Sequence, residues 1–430
     1  DLTPEQIAST NAGYWAVLKN IRVQGGVFSF TGREYQIEPM QSKARRICYM
    51  KATQGGFTEI EVLKALHGMI YGKYPKGVAH LFPTNDEVQD FGKSRFNPLI
   101  LNNNAAIGKF IKSGGKGTDT TTLKKIRDAF LYLRGARLSQ KIGESDEDTS
   151  SKASSYPVDR TNFDEVDYMD SSAIEKFKQR MGASEIKEES YIGNPSQEDL
   201  GIDRIFKKSD QRYWYRRCDC GEWICAEKTF PSCVKHRTNG TGFIGCEKCS
   251  KEVPIWNLKW VDPKTGLGGG EWRPDHPENS NYMHGYHWSQ LTSLTNDPAE
   301  ILEDYTNPPF NNLGDVIRLR LGRAYSSKDE KLRYRDVLTC CGNDGTILQH
   351  SGPCAMGVDV GKVKHVVIGI KTGNDRYEIL RSLKVESFND IHDLAKRFNV
   401  KSAVIDIRPY EDEARAFQKA ERFKTFLCEY

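Results

Sequence analysis

The sequence predicts an α/β chain built in parts, with two alternating regions of strand and helix flanking a small cysteine-rich module. Three observations carry this. Between Tyr35 and about Pro195, short apolar runs alternate with amphipathic helical patterns. The same rhythm restarts at Met356. Between them, the stretch from Tyr213 to Trp260 holds six of the eleven cysteines and four of the seven tryptophans. At 430 residues the chain is too long for one ordinary core and fits two or three domains.

Composition narrows the function classes. Lys and Arg number 62 against 58 Asp and Glu, a formal net charge of +4, so any nucleic-acid contact must come from local patches. Hydrophobic residues at 38% and charged residues at 28% give a soluble globular balance. No apolar run approaches the ~20 residues that span a bilayer, which argues against a membrane protein. The opening segment, Asp1–Asn11, is polar and lacks the apolar core of a signal peptide, and it starts without Met, as expected of a trimmed product or fragment. Clustered cysteines without a secretory signal favour metal ligation over disulfides, and a reducing cytoplasm.

The elements follow in order. Residues 1–34 form an N-terminal segment, with a short helical piece at Pro4–Ile21 before a turn at Gly25-Gly26. Residues 35–210 form the first α/β domain, with strands expected at Arg46–Met50, Gly77–Pro83, Ala129–Arg134 and Tyr191–Asn194. Within it Gly143–Ser155 is acidic, Ser-rich and nearly free of apolar residues, and reads as a loop. Residues 211–260 form the cysteine module, and 261–350 a subdomain and turn-rich linker. Residues 351–430 form the second α/β domain, with strands at Met356–Asp359, Val366–Lys371, Tyr377–Leu383 and Ser402–Ile407 and little room to finish a fold.

Two motifs point to ATP chemistry. RICYMKATQGGFTE (Arg46–Glu59) is a strand running into a Gly-containing loop and a helix, the context that cradles phosphate with backbone N–H groups. Against G-x-x-x-x-G-K-[ST], Gly56 fills the second glycine slot beside Gly55, and Thr58 supplies the Mg²⁺-facing hydroxyl. Phe57 stands where lysine is usual, while Lys51 stands at the front of the motif, within reach of the β- and γ-phosphates. The second motif, RTNFDEVDYM (Arg160–Met169), offers Asp164 for Mg²⁺ and Glu165 to polarise the attacking water. Each has a plainer reading, a bare strand–turn–helix or a solvated acidic pair, and Asp159, Arg160 and Asn162 interrupt the expected strand before Asp164.

In the module, Cys218 and Cys220 form one close pair and Cys246 and Cys249 another. Four thiolates on two turns suit a structural, tetrahedral Zn²⁺, with Cys225, Cys233 and His236 as alternative ligands and unrelated buried thiols as the plain reading. The nearby Arg212, Tyr213, Trp214, Arg216 and Arg217 suit either a DNA contact or a packed strand. In the second α/β part, Asp359 is the single acid of an apolar strand, and a buried acid there is costly unless a metal holds it. Asp406 closes another strand, so the two could hold Mg²⁺ or Mn²⁺ for phosphodiester cleavage, the arrangement of RNase H-like folds. A catalytically silent actin-like or RNase H-like module is the alternative.

Taken in order, YQIEP (Tyr35–Pro39), MKATQGGFTE, HLFPTNDEVQDF (His80–Phe91), LYLRGAR (Leu131–Arg137), NFDEVD and YIGNPS resemble the large terminase subunits of tailed bacteriophages, the lambda-like class in particular. Members of that class also carry the P-loop lysine at the front of the motif and paired cysteines after the ATPase motifs. The resemblance covers roughly residues 30–428. It implies a P-loop NTPase-type ATPase domain, a zinc-binding module and an RNase H-like nuclease domain. It places Gln36 near adenine, Lys51 and Thr58 on phosphate and Mg²⁺, Asp164 on Mg²⁺ and Glu165 as catalytic carboxylate. Asn194, Pro195 and Ser196 fall on the coupling motif, although the family usually has Ser or Thr where Gly193 and Asn194 stand. Arg95, Arg134 and Arg137 are candidates for its arginine finger. Its third nuclease carboxylate is expected beyond Tyr430, with Asp412 and Glu413 better suited to a solvated face, so the nuclease domain is expected to be truncated.

The implied function is an ATP-driven motor and metal-dependent endonuclease that cuts concatemeric phage DNA and moves it into a procapsid, in the host cytoplasm. The implied partners are double-stranded DNA, a small terminase subunit, the portal protein and further copies in a ring. The alternatives are a helicase-like remodelling ATPase without nuclease activity and a zinc-bearing DNA-binding scaffold.

Overall fold

The structure, a computed structural model, describes residues 2–111, 119–136, 156–263, 265–326, 347–373 and 376–429. The stretch 143–155 expected to be a loop lies outside the described residues, as does Arg137. The chain divides into two compact units, Asp1–Lys331 and Leu332–Tyr430. No helix among the described residues is long and apolar enough to cross a membrane.

The first unit opens with α1 (Pro4–Thr10) and α2 (Ala12–Leu18). Thr3 and Gln6 form a capping box that starts α1, and Trp15 of α2 is buried in the core. A ten-stranded sheet follows, of strands β1 (Arg46–Lys51), β2 (Val78–Phe82), β3 (Leu123–Ile126), β4 (Ala129–Gly135), β5 (Arg160–Asp164), β6 (Glu188–Gly193), β7 (Arg212–Arg217), β8 (Trp223–Ile224), β9 (Gly270–Pro274) and β10 (His284–Trp288). Their order is β8-β7-β10-β1-β6-β5-β2-β4-β3, with β9 paired to β7. From β7 through β4 every neighbouring pair is parallel, and the outer pairs are antiparallel.

Central parallel strands are covered on both faces, so β1 carries the apolar run Ile47–Met50 and β2 (VAHLF) is apolar apart from His80. The next helix, α3 (Phe57–Ile70), is buried almost throughout. Strand β5 departs from this rule: Arg160, Thr161, Asn162 and Asp164 are all buried in the middle of the sheet. The sheet also runs across the limits at 210 and 260 drawn from composition, because β7, β9 and β10 join β1 in one sheet. The cysteines lie beyond β7, around the hairpin Val234–His236 and Gly242–Ile244, with a small core of their own.

The second unit is a five-stranded sheet of β11 (Cys354–Val360), β12 (Lys364–Lys371), β13 (Tyr377–Val385), β14 (Val400–Asp406) and β15 (Lys424–Cys428). The order is β13-β12-β11-β14-β15, the first three antiparallel and the last two parallel to β11. Helices α5 (Phe388–Arg397) and α6 (Glu411–Ala420), numbered after α4 (Asn85–Phe91) of the first unit, bury Ile391, Leu394, Ala414 and Phe417 with one face of the sheet.

Candidate nucleotide site and metal-binding clusters

In an open parallel sheet, ligands bind beyond the carboxyl ends of the strands. There β1 ends in Lys51, β5 ends in Asp164 followed by Glu165, and β6 leads into Asn194. The loop Ala52–Gly56 turns from β1 into α3 with Gln54 at φ +65° and Gly56 at φ +78°. A Cβ on Gly56 would lie 2.6 Å from Gln36 Nε2, and one on Gly55 2.8 Å from the rings of Phe57 and Trp288. Gln36 Nε2 donates to the Gly55 carbonyl at 2.9 Å, so this buried side chain props the loop backbone from beneath. Helix α3 starts at Gly56 with no side-chain cap, which leaves its first-turn N–H groups for an anion.

Phe57, in the usual lysine slot, stacks on Tyr49 with ring centres 4.8 Å apart inside the core. Lys51, at the front of the loop, has its Nζ 3.1 Å from Glu165 Oε1. Glu165 is held at φ +59°, a conformation rare for non-glycine residues and found where surrounding structure enforces it. Asp164 is almost fully buried. Its Oδ2 faces His80 Nε2 at 3.3 Å, while Oδ1 is buried without a hydrogen-bond partner. Burial pushes the Asp164 carboxyl up, but the His80 hydrogen bond, the Lys51 ammonium and the Thr58 hydroxyl outweigh it and hold the group below the usual range. An ionised carboxylate with one unmatched buried oxygen, beside the Thr58 hydroxyl, fits the coordination sphere of a divalent cation.

After β6, the Asn194 N–H lies 3.4 Å from Glu165 Oε2, and its Nδ2 donates to the carbonyls of Lys51 at 3.0 Å and Arg318 at 2.8 Å. Pro195 leads to Ser196, whose N–H and hydroxyl both bind Asp167, at 2.7 and 2.6 Å. Arg318 belongs to a strap within the stretch 261–350 expected to hold a subdomain and turn-rich linker. Thr53 N–H and hydroxyl donate to the Leu319 carbonyl, and a Cβ on Gly322 would meet Ala52 N and Trp288 O at 2.6 Å. Of the arginine-finger candidates, Arg95 pairs with Glu59, and Arg134 donates to the carbonyls of Thr122 and Leu133.

The acidic strand also rests on residues that sequence reading passed over. Arg160 donates to Glu188 at 2.5 Å, to Tyr74 Oη at 3.1 Å, and to Glu61 of α3. Burial opposes ionisation of Glu61, yet Arg160 and then Lys64 outweigh it and hold the carboxyl at about 2. No local signal in the sequence announces this cluster, since its members are brought together by the fold.

In the cysteine module, the sulfurs of Cys218, Cys220, Cys246 and Cys249 all lie within 4.8 Å of one another. The pairs Cys218–Cys249 and Cys220–Cys246 stand at 3.5 and 3.7 Å. Thiolates 2.3 Å from a tetrahedral ion would stand about 3.8 Å apart, so the spacing fits Zn²⁺. Burial pushes the Cys218 thiol up to about 12, while the Glu222 N–H draws exposed Cys220 down to about 7. Cys225 and Cys233 lie outside the cluster, bonded to Glu227 and the Ala226 carbonyl, and His236 is exposed.

In the second unit the expectation of a buried Asp359 is corrected. Its side chain is 71% exposed, because α5 and α6 cover the same face of β11 and alternate residues look the other way. Register still brings the two acids together: Val358 pairs with Ile405, one residue before each. Burial, and then the Asp359 charge, push the Asp406 carboxyl up. His365 Nδ1, across the strand pair, lies 3.4 Å from Asp359 Oδ2. Asp412 and Glu413 occupy the first turn of α6.

No curated protein matches the chain. Among solved structures it is similar to the Thermus phage P74-26 large terminase ATPase domain, with TM-score 0.37, 11% identity, and 66% of this chain and 90% of that one covered. It is also similar to the large terminase of a thermophilic bacteriophage in complex with ADP, with TM-score 0.33, 11% identity, and 91% and 79% covered. A third likeness is to the Phi-28 gp11 DNA packaging motor, with TM-score 0.28, 9% identity, and 91% and 86% covered. Residues 26–272, more than half of the chain, match the family described as phage terminase large subunit gpA, ATPase domain. They take in the glycine loop, the acidic strand, the Asn194 turn and the four clustered cysteines, and the chain belongs to that family.

Proposed function

We propose that this chain is the ATP-driven motor subunit of a viral DNA-packaging machine, with a second unit that cuts DNA at a pair of metal-binding acids. The observation that carries the motor reading is the meeting of Lys51, Asp164 and Glu165 around a glycine loop at the carboxyl end of the sheet. In this reading Gly55, Gly56 and the open turn of α3 cradle the phosphates, with Lys51 reaching them from the front of the loop. Asp164 and Thr58 would hold Mg²⁺, which would supply neutralising charge to the phosphates. The phosphates compete with Glu165 for the Lys51 ammonium, and Glu165, once released, orients the attacking water. Asn194 touches Glu165, the Lys51 carbonyl and the strap through Arg318, which supports a coupling role for Asn194–Ser196.

The ATPase unit spans Asp1–Lys331 with Cys218, Cys220, Cys246 and Cys249 as a structural Zn²⁺ staple inserted into it. In the second unit Asp359 and Asp406 hold Mg²⁺ or Mn²⁺, in an RNase H-like arrangement supported by their adjacency and by the raised Asp406. The partners are double-stranded DNA, a small terminase subunit, the portal and further copies of the chain, in the host cytoplasm.

DNA-stimulated ATP hydrolysis by the purified chain tests the motor, beside Lys51→Ala and Glu165→Ala. Turnover in the wild type and loss in both variants is expected; absent turnover, or survival in both, refutes the assigned site. Cleavage of plasmid DNA with Mn²⁺, abolished by Asp406→Asn, tests the nuclease in the same preparation.

A further inference from the structure

We propose that His80 is a positioning residue for Asp164: it occupies one carboxylate oxygen and so reserves the other for the cation. The inference rests on the reading of Asp164 as the cation carboxylate. It starts from a chain of hydrogen bonds whose direction is fixed at one end. Arg160 can only donate, and its Nε lies 2.8 Å from Asn162 Oδ1. Ser190 Oγ donates to the same oxygen at 2.9 Å. The amide of Asn162 is thereby oriented, and its Nδ2 faces His80 Nδ1 at 3.4 Å. An NH₂ group can only donate, so Nδ1 is the accepting nitrogen and the ring proton sits on Nε2. That proton is directed at Asp164 Oδ2, 3.3 Å away.

The ring cannot turn out of this role. His80 is 1% exposed and packs against both Phe82 and Phe91, at 4.9 and 5.8 Å between ring centres. Oδ2 is thus committed to the protein, and Oδ1 is the buried oxygen left without a partner. Outer groups that hold a metal-facing ligand in place typically tune metal affinity about 10–100-fold.

The test uses the full chain with His80→Phe, His80→Asn and His80→Gln. Gln places an amide N–H near the Nε2 position, Asn places one near Nδ1 only, and Phe supplies none. Mn²⁺ affinity is measured by electron paramagnetic resonance with a non-hydrolysable ATP analogue, beside the Mg²⁺ requirement for ATP turnover. Phe and Asn are expected to weaken Mn²⁺ binding and raise the Mg²⁺ requirement about tenfold or more. Gln should stay within about threefold of wild type, and analogue binding in EDTA should hardly change in any variant. Equal Mn²⁺ affinity in all four proteins overturns the proposal, as does a Gln variant no better than Phe. If Phe does not fold, the Asn and Gln pair decides alone. A wild type that binds the Mn²⁺–nucleotide complex while the variants match it refutes His80 only. A wild type without ATP turnover refutes the ATPase reading, and the role of His80 with it.

Discussion

Replacing Arg160 with Met should destabilise the first unit by about 3 kcal/mol at neutral pH, and the loss should shrink in acid. The guanidinium is buried with two carboxylates, Glu61 and Glu188. Removing it leaves both in the core with Lys64 and Lys73 as the remaining paired cations and the hydroxyls of Tyr49 and Tyr74 as donors. The displacement of Glu61 from an ordinary 4.5 to about 2 corresponds to roughly 3 kcal/mol of preference for the ionised form, for which Arg160 is the largest favourable cause. Breaking a buried ion pair from one side costs a similar 3–5 kcal/mol. Because the folded value lies below the ordinary one, Glu61 contributes its full stability above about pH 4.5 and loses it as the pH falls toward 2. In the variant the orphaned carboxylates are relieved by protonation, so the two stability curves should converge below pH 4.5.

All seven tryptophans lie between Trp15 and Trp288, so tryptophan fluorescence reports unfolding of the first unit alone. At 2–4 °C per kcal/mol for larger domains, the thermal midpoint should drop by roughly 6–12 °C. Adding Glu61→Gln to the variant should restore part of the loss. A drop under about 1 kcal/mol, or one that does not shrink on acidification, would refute the reasoning.

Two further outcomes are expected. Gly56→Ala meets a left-handed backbone, worth about 1 kcal/mol, and crowds Gln36 Nε2; nucleotide affinity by calorimetry should fall about tenfold or more while the fold persists. Atomic absorption should find one Zn²⁺ per chain and markedly less in Cys220→Ser, and chelation should lower the fluorescence-detected thermal midpoint by several degrees; a metal-free chain of equal stability would count against the staple.

The apolar runs were readable because β1 and β2 are buried on both faces and carry their hydrophobicity in sequence. The loop glycines were readable for a related reason, since Gly56 must adopt a positive φ that sequence pattern anticipates. Strand β5 was obscured because its polar residues are matched by partners far away: Glu61 of α3, Glu188 and Ser190 of β6, and His80 of β2. Strand β10, HGYHW, falls in the stretch 261–350 that reads as a subdomain and turn-rich linker, yet it lies parallel beside β1, with His287 bonded to the Gly322 carbonyl. Asp359 was legible as an acid in a strand but not by burial, because strand alternation does not say which face the helices will cover.

The buried ions of β5 also settle a question of alignment. A parallel strand of plain aliphatic residues could slide along its neighbours by one position and still bury its side chains. Here Arg160 is opposite both Val78 and Glu188, and a slip of one residue would turn its guanidinium to the other face, away from Glu61 and Glu188. The penalty for such a slip is several kcal/mol, the cost of leaving charges unmatched in the core. The Arg160 cluster thus works as an indexing pin, and it sets the one residue at which the carboxylate of Asp164 emerges from the sheet.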